Sequence, residues 1–391
     1  MTHASPLSVR WQPQGLAIVP TEPWEQDGLR NFTCPAEPLG DGGGNGGWRL
    51  WYYARTADRR SCEIGIAEGI PGSPSARKYR LRRAPGNARL LYPGERYTLS
   101  NLPDGWLPVQ PVHLVLPGGG HRLYFWAHAP GIVRYLCADS CDGFHYTVAD
   151  PYRAILYHYH DRAVEKNTLA ADGLTFWGNT AHTRPGHEPA ANPMLVTNDA
   201  TNLYAIPGVT PDAASDAARY ELYTACIVSV PKDSPRYIAE DNAAGFVRVI
   251  DRFTSRDGLH FEDRRRVLEP DTDEPPGLQF YGLAVTHLPD GRRYGQIGHY
   301  RCDTQILSIE RAMSDDGGLT WQRPDRFPCM DAGFNGGHDI HGLLPSHNVV
   351  YHDNAWWCFY TGHRHTHNFK KSAGLPTATV LLAKSGQPDT A

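Results

Sequence analysis

Short runs crowded with aromatic and β-branched residues recur along the whole chain, bounded by Gly, Asp or Asn. Such runs have the length and composition of strands. They group into five modules, each a short apolar strand, an aromatic strand and a third strand. The first holds Arg49–Ala54 and Ile64–Glu68, and the second Leu123–Trp126 and Ile132–Leu136. The third couples Leu195-Val196 and Tyr220–Tyr223 to Val247–Ile250. The fourth holds Leu283–Val285, Tyr294–Ile297 and Ile306–Glu310; the fifth holds Asn348–Tyr351, Trp356–Tyr360 and Ala378–Ala383. Recurrence of one unit says more about architecture than any single run does.

Three of the third strands are followed by related turns: Ser140 to Tyr146, Ser255 to Phe261 and Ser314 to Trp321. A further copy, Ala171 to Phe176, lies in a long insertion between the second and third modules. The pattern has a local logic. Asp accepts backbone N–H groups, Gly permits the tight turn, and the terminal aromatic fills apolar space between sheets. These turns therefore read as architecture and not as chemistry.

The segment Ser314-Asp315-Asp316-Gly317-Gly318-Leu319-Thr320-Trp321 matches the Asp-box of sialidase-like propellers. Over roughly residues 20 to 385 the module pattern resembles five-bladed β-propeller glycoside hydrolases of the broad group that includes families 43, 32, 62, 117 and 130. The expectation is an all-β, five-bladed β-propeller: a single domain over residues 21–391 with loop insertions, after an N-terminal extension over residues 1–20. A six-bladed sialidase fits less well, because only one full Asp-box is present and no arginine triad stands out.

Composition narrows the class. At 391 residues with 40% hydrophobic and 20% charged residues, the chain is a folded globular protein. Its 39 glycines and 32 prolines favour strands and turns over long helices. A net charge of -4 with scattered Lys and Arg gives no nucleic-acid footprint. No apolar run is long enough to span a membrane, and the first 20 residues lack the continuous apolar segment of a secretory signal. Eight dispersed cysteines, with only Cys137 and Cys141 close together, read as free thiols in a reducing cytoplasm. The glycine-rich Gly40 to Gly47 lacks the ending of a phosphate loop, and no Gly-x-Ser-x-Gly elbow occurs.

In a propeller the first strand of each blade lines the axis, so distant segments converge there. Candidate chemistry is therefore sought before the aromatic strands. Glu25, with Glu22 and Asp27, precedes the first module beside Trp24, an indole suited to stacking on a sugar. Asp199 opens the third module, with His187 and Glu188 upstream; Gln279 and Tyr281 open the fourth. Before the fifth, Gly336 to Gly342 contains His338, Asp339 and His341. If that segment is extended, Asp339 and His341 share one face. His363, His365 and His367 alternate without a local carboxylate and read as a solvent-facing loop; Tyr157 to Asp161 reads as a pocket rim.

The leading reading is glycoside hydrolysis by paired carboxylates, Asp199 and Asp339, with Glu25 as a third acidic candidate. Trp24, His187, Gln279, Tyr281, His338 and His341 would bind the carbohydrate. One rival is a polysaccharide lyase with a histidine or tyrosine base; another is a carbohydrate-binding propeller without turnover. No cofactor is required, while the axis leaves room for a structural calcium ion whose ligands the pattern does not identify. The glycan is the expected partner, and the pattern leaves oligomeric partners open.

Overall fold

A computed structural model describes residues 6, 9–40, 47–56, 60–84, 96–164, 196–198, 200–209, 217–368 and 377–385. These form an all-β protein with two short 3₁₀ turns, Pro23–Glu25 and Gly336–His338, and no α-helix among the described residues. The strands join into curled sheets of 12, 4 and 7 members.

With one exception the expected strands are present and longer than the pattern implied. The aromatic strands run over Trp48–Arg55, His121–Ala129, Tyr220–Ser229, Arg293–Arg301 and Ala355–His363. Each is flanked by antiparallel partners, as in Tyr220–Ser229 between Thr201–Ala205 and Phe246–Ser255. The exception is the opening of the third module. Val196–Thr197 pairs in parallel with Leu156–His158, and Thr201–Ala205 is the strand that adjoins Tyr220–Ser229.

The aromatic strands are continuous in hydrophobicity because both of their faces are covered. In Trp48–Arg55, the side chains of Trp48, Leu50, Tyr52 and Ala54 enter one apolar cluster with Trp357 and Phe359. Trp51 and Tyr53, pointing the other way, join Leu123, Trp126 and Tyr135. In Ala355–His363 the same split sends Trp357 and Phe359 to one side and Trp356, Cys358 and Tyr360 to the other. Alternation of side chains across a strand thus feeds two cores. Each fully buried aromatic or aliphatic side chain contributes about 1.5–3 kcal/mol through burial.

The first described strand, Trp11–Leu16, pairs antiparallel with Ala378–Ser385 from the other end of the chain, with Trp11 opposite Ser385. Trp11 and Leu16 pack in the cluster that holds Trp356, Tyr360 and Leu381. One sheet therefore holds the two extremes of the described chain.

The three Asp–Gly turns share one hydrogen-bond scheme. Asp142, Asp257 and Asp316 each accept two backbone N–H groups through Oδ1, at 2.8–3.0 Å. Ser140, Ser255 and Ser314 each receive a glycine N–H, at 2.8–3.0 Å. These bonds hold Asp257 and Asp316 down to about 2 despite the opposing effect of partial burial. Each turn then docks on the aromatic strand of the preceding module. Tyr146 lies edge-on to Trp51, Tyr124 Oη donates to Gly258 O at 3.0 Å, and Trp321 lies edge-on to Tyr223. Ala171 to Phe176 lies outside the described residues.

At Gly318, φ is +83° and an added Cβ would lie 2.0 Å from Tyr223 Oη. Gly291 has a similar φ of +87° with nothing within 4 Å. Gly318→Ala is expected to destabilise by about 2–4 kcal/mol and Gly291→Ala by about 1 kcal/mol, since only the first adds a steric clash to backbone strain. Thermal unfolding of the two variants checks the difference.

Between the third and fourth modules Glu221 is fully buried and receives Arg252 at 3.0 Å, Arg293 at 2.9 Å and His287 at 2.7 Å. Burial opposes its charge, but the His287 and Arg293 bonds win and lower its pKa from 4.5 to about 2. A depressed carboxylate stabilises the fold above its unfolded pKa and loses that contribution as pH falls through its folded value. Stability should therefore decline from about pH 4.5 toward pH 2, and Glu221→Gln should flatten that limb while lowering stability at pH 7 by about 3–5 kcal/mol. Urea unfolding across the pH range measures both.

Candidate functional site

Three of the strands that open the modules are interrupted. Register shifts occur between Val109 and Val112, Phe280 and Leu283, and Pro345 and Val349, while Thr33 and Gln110 have φ of 64° and 54°. Such bulges re-aim side chains out of the ladder. They bring Phe32, Ala200, Tyr281 and Leu344 into one cluster. Gly282 lets the strands approach: its missing Cβ would lie 3.4 Å from Ala200 and 3.5 Å from Phe32.

A polar floor lies alongside this cluster. His347 Nε2 is 2.9 Å from Leu203 O, its ring stacks on Tyr204 at 4.2 Å, and its backbone N–H donates to Cys34 O. Burial lowers the His347 pKa to about 4, so the imidazole is neutral at pH 7. Tyr204 donates to His347 O and accepts the Val285 N–H at 2.7 Å; Asn202 Nδ2 donates to Leu283 O at 2.9 Å. Inner strands of the first, third, fourth and fifth modules are thereby tied together.

The Gln279–Tyr281 segment carries the densest functional arrangement. Arg248, 2% exposed, donates to Asp241 Oδ2 at 2.7 Å and to Gln279 Oε1 at 2.5 Å. Tyr300 Oη donates to Asp241 Oδ1 at 3.0 Å. The guanidinium lies over the rings of Tyr281 and Tyr300 at 5.2 and 5.3 Å. Tyr281 Oη is 2.8 Å from His367 Nε2, which reaches in from the loop after the fifth aromatic strand. A fixed cation, an aromatic face and an imidazole–phenol pair thus share one end of the inner strands. That set can stack on a sugar, bind hydroxyl or acidic groups, and relay a proton.

The sequence candidates divide around this cluster. Gln279 and Tyr281 belong to it. Asp199, His187 and Glu188 lie outside the described residues, although Ala200 is buried against Gly282. Glu25 is fully buried beside the first aromatic strand: Tyr52 Oη donates to one oxygen at 2.5 Å, and Lys78 Nζ and the N–H groups of Thr21 and Glu22 bind the other at 2.6–2.9 Å. Its neighbour Trp24 stacks on Tyr52 at 5.7 Å. This pair caps a 3₁₀ turn and packs against Tyr52, away from Gln279 and Tyr281.

Asp339, His338 and His341 do not form the extended face expected of them. Gly336–His338 is a 3₁₀ turn and the strand begins only at Gly342, so alternation does not apply. Asp339 is fully buried, accepting the Asn335 N–H at 2.9 Å and Tyr360 Oη at 3.3 Å; burial raises its pKa. His338 faces Arg364 at 3.0 Å, and His341 is half-buried. His363, His365 and His367 are partly buried rather than solvent-facing. In the Tyr157–Asp161 segment, His158 Nε2 is 2.9 Å from Asn198 Oδ1 and Asp161 pairs with Arg134 at 3.0 Å.

Arg248, Asp241 and Tyr300 belong to no motif that the sequence displays, and His367 stands in the alternating histidine run that reads as a solvent-facing loop. An arginine inside the apolar run Val247-Arg248-Val249-Ile250 is the available signal, since a buried guanidinium requires dedicated partners. A cleft of about 710 Å³ lies elsewhere. It runs along the N-terminal strand and is lined by Trp11, Arg311, Asp325, Phe327 and Phe334. Among the described residues no group of three or more His, Cys, Asp or Glu side chains is arranged to hold a metal ion, and none of the eight cysteines is in a disulfide.

No family model matches the chain, and no curated protein matches its sequence. Its fold does match solved structures. A glycoside hydrolase is 13% identical with a TM-score of 0.58, covering 98% of this protein and 94% of that one. The α-L-arabinofuranosidase PaAbf62A from Podospora anserina, solved with cellotriose, is 13% identical with a TM-score of 0.54 and 98% coverage of both proteins. An N-acetylgalactosamine deacetylase from F. plautii, solved with blood group B trisaccharide, is 12% identical with a TM-score of 0.54, covering 96% and 95%. The shared architecture is that of propeller-type carbohydrate-active enzymes.

Glu25→Ala is expected to lower stability by about 3–5 kcal/mol, because it leaves the Lys78 ammonium, 4% exposed in its side chain, without its partner. Lys78→Met combined with Glu25→Leu should restore part of that loss. Calorimetric melting of the single and double variants tests this structural role.

Proposed function

We propose that this chain is a glycoside hydrolase built on a five-bladed β-propeller, with its substrate bound where the inner strands begin. The observation that carries this reading is the convergence of Gln279 and Tyr281 with Arg248, Asp241, Tyr300 and His367 at that end. The likeness to propeller-type glycoside hydrolases supports it. The Asp-box turns hold adjacent blades, and residues 21–391 make up the catalytic domain.

In this reading Tyr281 supplies the stacking face and Gln279 fixes the position of Arg248. Asp199 precedes Ala200, which touches Gly282 beside Tyr281, and is proposed as one catalytic carboxylate. Asp241 is the carboxylate within the cluster and is proposed as the second. Held by Arg248 and Tyr300, it stays aimed while Asp199 exchanges a proton with the leaving oxygen or with water. Asp339, sealed by Asn335 and Tyr360, holds the approach to the fifth inner strand.

A second reading rests on the 2.8 Å contact between Tyr281 Oη and His367 Nε2 beneath a fixed guanidinium. A phenol or imidazole base beside a cation is the equipment of a lyase acting next to a uronic-acid carboxylate. The full chain, incubated with a panel of oligosaccharides, distinguishes the two. Hydrolysis releases new reducing ends without ultraviolet absorbance; elimination releases unsaturated products that absorb. Asp199→Asn should lower kcat by about 10²–10⁴-fold, and Asp241→Asn should do the same while also lowering the melting temperature, because it leaves the buried Arg248 without its carboxylate, so its rate is read on protein shown to be folded. Full activity in both variants would refute the carboxylate pair.

A further inference from the structure

One corner of the same end carries side-chain nitrogens that have no partner among the described residues. Arg30, at the start of the first inner strand, lies opposite Tyr53 and donates through Nη2 to Thr377 Oγ1 at 2.9 Å. Its strand is pressed against the last one: a Cβ on Gly28 would lie 3.0 Å from the Ala378 backbone N. Ala378 in turn is the register partner of His363, and the Arg364 N–H donates to Thr377 O at 3.3 Å. Arg30, His363 and Arg364 are therefore gathered around Thr377 and Ala378.

Three nitrogens of this group, Arg30 Nη1, His363 Nε2 and Arg364 Nε, are buried and have no hydrogen-bond partner among the described residues. Neither Arg30 nor Arg364 pairs with a carboxylate among the described residues; Arg364 Nη2 instead faces His338 Nδ1 at 3.0 Å. The neighbours acting on His363 are Arg30, His365 and His367, and together with burial they lower its pKa to about 3. Arg30 and Arg364 are half-buried, so each guanidinium is partly withdrawn from water with no carboxylate beside it among the described residues. Arg248 adds a further cation, with Nε also unpartnered, and it meets this group through the Tyr281–His367 contact.

We infer that Arg30, His363 and Arg364 form a subsite for an oxyanion carried by the glycan, which makes the substrate an acidic sugar chain. A planar carboxylate suits a guanidinium fork, as in a uronic acid; a sulfate ester offers the same acceptor oxygens. This inference rests on the proposed carbohydrate site, and it names what that site selects.

The test is isothermal titration of the full chain with three matched probes: a glucuronate-terminated oligosaccharide, the same oligosaccharide ending in glucose, and the same oligosaccharide ending in glucose 6-sulfate. At least one acidic probe should bind about 10–100-fold more tightly than the neutral one. Arg30→Gln should remove that preference and keep the neutral probe's affinity, with Arg364→Gln as the second variant if Arg30→Gln does not fold. Equal binding of all three probes, or an unchanged preference in a folded variant, overturns the subsite. Comparing the uronate and sulfate arms tells which oxyanion is preferred. An Arg30-dependent acidic preference without cleavage of any probe would sink the hydrolase reading alone. Cleavage of the neutral probe with no acidic preference would sink the subsite alone.

Discussion

Everything in this molecule depends on strands that are covered on both faces. Trp48–Arg55 sends alternate aromatics into two clusters, and Ala355–His363 does the same on the other side of Trp48. No module could bury such a strand alone, because half of its apolar surface belongs to the next module. The Asp–Gly turns follow from the same need. Each holds its own backbone with one aspartate and leaves an aromatic or a carbonyl free to press on the strand before it. Stability is therefore distributed over interfaces between modules, as in other repeat architectures.

This arrangement explains what is legible in the sequence. Strand positions are readable because double burial makes the aromatic runs conspicuous, and Ser314 to Trp321 is readable because its side chains satisfy only one another and their own backbone. Gln279 and Tyr281 are found by place alone, at the opening of a module. Glu25 looks like an axial acid from the same kind of position. Yet Lys78, far along the chain, takes it into a cap, and no local pattern encodes a partner 53 residues away. Asp339 and His341 depend on an extended backbone that Gly336 and Gly337 turn into a 3₁₀ bend. Arg248 and His367 both reach Tyr281 through folding, from different modules, so spacing carries no sign of the arrangement.

The same molecule handles its buried charges in two contrasting ways. Glu221 is surrounded by Arg252, Arg293 and His287, and Asp161 is matched by Arg134. These groups are satisfied, and they fix how modules sit against each other. Around Arg30, His363 and Arg364 no carboxylate is paired among the described residues, and one nitrogen of each has no partner there. In physical terms the proposed subsite is preorganised for a ligand's oxygens, because Thr377 and the Ala378 strand hold Arg30 and Arg364 in place before anything binds.

The pairing of Trp11–Leu16 with Ala378–Ser385 has a kinetic meaning. It joins residues separated by nearly the whole described chain, with Trp11 opposite Ser385. During synthesis the early strand must wait, with Trp11 unburied, until the late one leaves the ribosome, at a rate of about 5–20 residues per second. The intervening modules can form before that through shorter-range contacts, and closing the loop late costs less entropy once they have compacted the chain. The seam is thus a checkpoint on synthesis: a chain that stops short of Ala378–Ser385 leaves Trp11–Leu16 without the strand it pairs with.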